Sequence, residues 1–234
     1  MRGKPSPVAI ASAEFRAEPS ISRLRNIDRT MDAHEVSTLA QLRDLSRPPS
    51  EGAVRKELDR IDQRCRELVA LSPFLVMASA SSDGTCDASP KGGPPGFVAV
   101  LDEHRLLIPD AAGNRRLDGL TNMVENPRVG LVFLIPRTGE TLRVNGRIKL
   151  TRDPALLESL MTGGRAAVLA ILVEVEPAYI HCAKSVVRSG LWRSETWSEL
   201  DEMPSAAQIL SEHTGLGEVA STAADFADSY TRRL

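Results

Sequence analysis

The sequence predicts a mainly β domain, an antiparallel barrel of six strands with helices at its periphery. Short apolar runs that read as strands recur from residue 74 to residue 175, and most are separated by turn residues alone, as in hairpins. The helical patterns between them are few and short, so the regular strand–helix alternation of a parallel sheet is missing. Hydrophobic residues make up 42 % of the 234, enough to fill one core.

Taken in order, residues 1–50 carry Pro5, Pro7, Pro19, Pro48 and Pro49 and no sustained apolar period. They read as a flexible or partner-docking arm, with one helix around Met31–Leu45. From Glu51 to Leu71 the residues Val54, Leu58, Ile61, Cys65 and Leu68 form one stripe at helical spacing, which makes Cys65 a core thiol. Ser72-Pro73 ends that helix.

Strands are expected over 74–79 and 85–89, joined by the turn Ser82-Asp83-Gly84. Residues 97–101 and 105–109 form a hairpin around Asp102-Glu103-His104, and 129–135 with 141–150 a second around Pro136–Gly139. Residues 166–175 close the set. Asn114 caps a helix from Arg115 to Glu125 that buries Leu117, Leu120, Met123 and Val124. Asp153-Pro154 opens another helix that ends near Met161. Residues 51–200 thus make the barrel domain, and 201–234 a helical extension with helices over 204–213 and 218–232.

Composition narrows the function. There are 29 Lys+Arg against 31 Asp+Glu, with five Phe, two Tyr and two Trp, so neither a basic surplus nor a stacking platform points to nucleic acid. The three cysteines are far apart and lack a Cys-x-x-Cys, which fits a reducing, cytoplasmic setting. No apolar run approaches the ~18–20 residues of a membrane span, and no secretion core opens the chain. Glycine-rich nucleotide loops, a nucleophile elbow and paired histidines are all missing, so no metal site is expected.

Two segments stand out. Asp87–Phe97 interrupts the strand pattern with three glycines and three prolines, and Lys91 is its only cation. It reads as an ordinary wide loop or as one that lets the backbone approach a ligand. In Ile108–Asp118 a strand end passes through Gly113 into a helix that begins with Arg115 and Arg116. Helix N-termini favour acids, so two arginines there oppose the dipole unless an anion, a phosphate by preference, is held between them. On 141–150 the residues Thr141, Arg143, Asn145, Arg147 and Lys149 share one face, either solvated or turned to an anion. His181 reads as a structural histidine or as a general base.

Ser89-Pro-Lys-Gly, Ile108-Pro-Asp, Gly113-Asn-Arg-Arg-Leu, Asn126-Pro-Arg-Val-Gly-Leu, Glu140-Thr-Leu-Arg-Val-Asn-Gly-Arg, His181-Cys-Ala-Lys-Ser and Arg188-Ser-Gly-Leu-Trp192 follow in this order. From Glu51 to its end the sequence resembles the pyridoxamine 5′-phosphate oxidase-related flavoproteins, in particular an FMN-dependent bacterial subgroup. The resemblance implies an FMN-binding split β-barrel that forms a homodimer, with FMN in a groove between subunits.

It assigns Ser89 and Lys91 to the flavin, Ile108 and Pro109 to a backbone lying along it, and Asn114, Arg115 and Arg116 to its phosphate. Thr141 and Arg143 fall where the family contacts the ring, and Arg188 and Trp192 would come from the partner subunit. The residues that grip the phosphate of pyridoxamine phosphate in the true oxidase have no match, nor has its Arg-x-His ending. The resemblance therefore implies an FMN-dependent oxidoreductase that moves a hydride to or from flavin N5 on another small molecule. The alternatives are a flavin-binding or sensing protein without turnover, and a deazaflavin- or haem-binding relative.

Overall fold

In the computed structural model, which describes residues 34–110, 116–162, 165–197 and 204–215, strands outnumber helices over most of the chain. The chain divides at Ser50/Glu51 into two units. In the first, α1 (Leu39–Asp44) opens with a capping box in which Thr38 and Gln41 satisfy each other's backbone N–H groups, and none of its residues is buried.

The second unit begins with α2 (Glu51–Arg55) and α3 (Gln63–Leu71), where the periodicity predicts one continuous helix over 51–71. Leu58 breaks it by exchanging both backbone hydrogen bonds with Ala178, at 2.9 and 2.8 Å. Asp62 then restarts the helix by accepting from the Cys65 N–H at 2.8 Å. The stripe survives the break at Ile61 and Cys65, which are buried, whereas Val54 is exposed. Cys65 is core, as expected, and burial first, then Asp62 beside it, push its thiol up to about 11.

The strands are β1 (Phe74–Ala80), β2 (Cys86–Gly92), β3 (Ala99–Val100), β4 (Arg105–Asp110), β5 (Arg128–Leu134), β6 (Thr141–Thr151), β7 (Met161–Thr162), β8 (Arg165–Ala166) and β9 (Leu169–His181). Seven of them, not six, form one sheet in the order β2-β1-β5-β6-β9-β4-β3, and β7 pairs with β8 alone. The strand pairings in both are antiparallel. Ser72, buried at the head of β1, sets its hydroxyl between the carbonyls of Phe74 and Leu134, 2.8 and 2.7 Å away.

Several expected elements shift. The strand expected over 85–89 runs on to Gly92, into the segment also read as a wide loop: β2 is an edge strand, so Pro90 can lack an N–H without costing a ladder bond. The strand expected over 97–101 shrinks to two residues. The one expected to end at Val175 runs on to His181, because a bulge sets Glu176 and Pro177 opposite Asn145 between the pairs Val144–Ala178 and Gly146–Val175. A Cβ on Gly146 would lie 2.2 Å from the Glu174 carbonyl oxygen, which explains the glycine there.

The helix predicted from Arg115 starts later, as α4 (Asp118–Glu125). Leu117 occupies the cap position at φ 62° without a side-chain cap bond, and Asn114 and Arg115 lie outside the described residues. Its buried residue is Met123, while Leu117 and Val124 are exposed. Asp153 caps α5 (Pro154–Glu158), as its pairing with Pro154 predicts. A helix not read from the sequence, α6 (Lys184–Ser189), follows β9, and α7 (Ala206–Thr214) lies within the expected extension; the helix predicted over 218–232 is outside the described residues.

The alternation of β6 holds: Leu142, Val144, Gly146 and Ile148 are buried, and they meet Leu75, Met77, Leu131, Phe133, Ile108 and Val173 in one core closed by Ile61, Cys65 and Val69 of α3 and Met123 of α4. The sheet does not lie flat. From β2 to β4 is five strand steps, about 24 Å in a flat sheet, yet the Lys91 and Asp110 side chains touch at 2.7 Å. The ladder therefore curls until β2 and β4 meet at a seam that no backbone pairing closes among the described residues.

Candidate functional site

The seam gathers polar side chains because β2 changes character along its inner face. Leu75, Met77 and Ser79 of β1 lie opposite Lys91, Ser89 and Asp87, so these three point to the same side as the core. Each is half-buried. Lys91 Nζ donates to Asp110 Oδ1, with side chains only 19 % and 16 % exposed. Asp110 ends β4 directly after Ile108 and Pro109, both buried and paired in register with Ile171 and Ala170.

The far end of the same face is roofed by α4. Asn122 Nδ2 donates to Ser79 Oγ at 3.3 Å, and a Cβ at Gly119 would stand 3.2 Å from Asp87 Oδ2. Glycine there lets the helix come down onto the two strands. Arg116 stands just ahead of the helix, its Nε 2.8 Å from Asp118 Oδ2, with the two side chains 73 % and 52 % exposed. Asp118 first, and Asp87 to a smaller degree, raise the guanidinium above its ordinary value and keep it charged. The helix thus begins with an acid that suits its dipole, and the conflict predicted for two leading arginines does not arise within α4.

Thr141 and Arg143 lie on the other face. A register row crosses the sheet through Pro90, Val76, Val132, Arg143 and Tyr179, all on the side away from Lys91. Arg143 sits over the Tyr179 ring at 5.3 Å from its centroid, and Lys56 approaches the same ring at 5.8 Å. Thr141 opens β6 opposite Leu134 and His181. The two further cations on this face are exposed and paired with carboxylates. Lys149 pairs with Glu174, and Arg147 with Glu176, which also takes Arg128.

Arg188 is exposed on α6, and Trp192 Nε1 donates to the Thr138 carbonyl at 2.7 Å beyond that helix. A Cβ on Gly139 would fall 2.5 Å from Ala183 Cβ, so this turn and the start of α6 are in close contact. Of the residues expected to hold a ligand, Ser89, Lys91, Ile108 and Pro109 converge at the seam and Arg116 stands at its far end. Thr141 and Arg143 share the opposite face, Arg188 and Trp192 follow β9, and Asn114 and Arg115 are outside the described residues. Asp110, Asp87 and Tyr179 escaped the sequence reading. A lone acid closing the apolar run Leu106–Pro109 was the available signal for Asp110.

Among the described residues no group of three His, Cys, Asp or Glu side chains could hold a metal ion, and no helix is long and apolar enough to cross a membrane. Curated proteins yield no match. Solved structures that resemble the chain include HupZ of Group A Streptococcus, at 18 % identity over 51 % of this chain and 93 % of that one, with a TM-score of 0.42. A protein from Clostridium acetobutylicum related to general stress protein 26, of the pyridoxinephosphate oxidase family, is 16 % identical over 50 % of this chain and 85 % of its own, at 0.40. HutZ, the heme storage protein of Vibrio cholerae, is 11 % identical over 50 % and 90 %, at 0.35. Residues 61–181, from the buried Ile61 through the last residue of β9, match the family model described as pyridoxamine 5′-phosphate oxidase, and the chain belongs to that family.

Proposed function

We propose that the protein is an FMN-dependent oxidoreductase that works as a homodimer, with the flavin at the seam and against the second subunit. The observation that carries this reading is the shielded Lys91 on the inner face of β2, beside the end of β4 that leads toward Arg116. The donor set fits FMN. Arg116 lies near Asp87, and Asp87 to Lys91 spans four residues of strand, about 13 Å, so one cation serves a phosphate and the other a ring joined to it by a ribityl chain. Ser89 adds a hydroxyl between them.

Dimerisation is supported by the separation of the two groups. Arg143 is on the outer face of β6, three strand steps or about 14 Å from β2, and cannot turn to a ligand held by its own Lys91. A second subunit that offers Thr141 and Arg143 completes the site. Exposed Ile180, Val187, Leu191 and Trp197 provide apolar surface for that contact.

When bound, the flavin supplies hydride transfer at N5, and the chain's own residues position and tune it. Lys91 offers its remaining N–H donors to the ring with Asp110 beside it, and the buried Ile108 and Pro109 exclude water from one side. The substrate is a small molecule whose identity these residues do not encode.

Titration with FMN, followed by flavin fluorescence and visible absorption, tests the reading. Saturable uptake of one FMN per subunit is expected, and a protein that leaves FMN free at micromolar concentration rejects it. Stopped-flow reduction of the loaded protein by NADH or NADPH then separates an oxidoreductase from a protein that only binds.

A further inference from the structure

The Lys91–Asp110 pair leaves hydrogen-bonding capacity unused. An ammonium carries three donors and a carboxylate two accepting oxygens. Lys91 uses one donor, on Asp110 Oδ1, and Asp110 Oδ2 takes no hydrogen bond among the described residues. Both side chains are mostly shielded yet reach the surface at the seam, so a ligand there meets a donor and an acceptor side by side.

The carboxylate also decides what cannot bind. A phosphate brought against Lys91 would meet Asp110, bonded to the same ammonium at 2.7 Å, and like-charge repulsion would cancel much of the attraction. A neutral heterocycle meets no such penalty. The complement of an adjacent donor and acceptor is an adjacent acceptor and donor, as on a cyclic imide, where a ring carbonyl stands next to an N–H. The isoalloxazine ring carries that edge at its C2 and C4 carbonyls and N3–H.

Resting on the flavin reading above, we propose that Lys91 and Asp110 together recognise the imide edge of the isoalloxazine, Asp110 Oδ2 accepting N3–H and Lys91 donating to a neighbouring ring carbonyl. Asp110 then selects for an unsubstituted imide and steers the phosphate away from Lys91 toward the arginine-bearing segment.

Binding of FMN and of N3-methyl-FMN to the full-length protein tests this by fluorescence quenching, with no turnover needed. Wild-type protein is expected to bind the methylated flavin at least about tenfold more weakly, the loss associated with a hydrogen bond to a charged group. In Asp110→Ala, checked for folding by its melting transition, the two flavins are expected to bind within about twofold of each other. Equal binding of both flavins by wild type overturns the assignment while leaving the flavin reading intact. So does a preference that persists undiminished in Asp110→Ala, since another group would then be accepting N3–H. Failure of wild type to bind either flavin rejects the flavin reading itself.

Discussion

Two half-buried cations stand on opposite faces of one sheet, and each is stabilised differently. Lys91, on the inner face of edge strand β2, is neutralised by a carboxylate from the other end of the ladder. Arg143, on the outer face of the central strand β6, has the Tyr179 ring as its partner instead. A carboxylate bond consumes most of an ammonium's field, so the seam suits a polar but uncharged group. A π face leaves the guanidinium's charge and forks available, which suits a partner surface or an anion. The lesson is that two cations three strand steps apart, alike in a strand pattern, acquire distinct chemistry from what the fold sets beside them.

The sharpest way to break this contrast is to remove the seam cation. Lys91→Ala leaves Asp110 shielded and unpaired, and should cost about 2 kcal/mol in chemical denaturation together with most flavin uptake. The double change Lys91→Met with Asp110→Leu should recover the stability but not the uptake. Recovery of both would show that the pair serves only to hold the seam.

Removing the outer-face cation should do the reverse. Arg143→Ala is expected to change folding stability by less than about 1 kcal/mol and to weaken the dimer by about tenfold, read by sedimentation at several concentrations. An unchanged mass at every concentration would take Arg143 out of the interface. Arg116→Ala should leave the melting temperature alone, because its pair with Asp118 is exposed, and weaken FMN by about tenfold. Riboflavin, which lacks the phosphate, should bind wild type and variant alike.

The smallest effect concerns the core behind the seam. The Cys65 thiol is raised from about 9 to about 11 in the folded protein, so between those values the unfolded chain gives up a proton that the folded chain keeps. This contribution is complete below about pH 9 and is lost as pH rises through about 11. Denaturation at about pH 8 and about pH 10.5 should show a steeper loss for wild type than for Cys65→Ala. Equal slopes would mean that the thiol is not buried in solution.

Part of the candidate site was legible where it depends on neighbours along the chain. Ser89, Lys91, Ile108 and Pro109 announce themselves in two short segments, and the structure brings those segments together. Asp110 was not legible as a partner of Lys91, because nothing within either strand says that the ladder's first and sixth members meet. The acids that neutralise Arg147 and Lys149 were hidden for the same reason: Glu174 and Glu176 lie on β9, more than twenty residues away. The break after α2 likewise comes from a contact made elsewhere, at Ala178.

By itself, the sequence determined which sides of β6 and α3 face the core, since period-two alternation on β6 and the apolar stripe through Ile61 and Cys65 are local consequences of side-chain direction. It also determined which residues at the strand ends could carry charge. Only the tertiary structure decided how those charges are partnered and which face each one occupies. Register, bulges and the curl of the sheet are set by long-range pairing, whose free energy depends on residues that the chain keeps far apart until it folds.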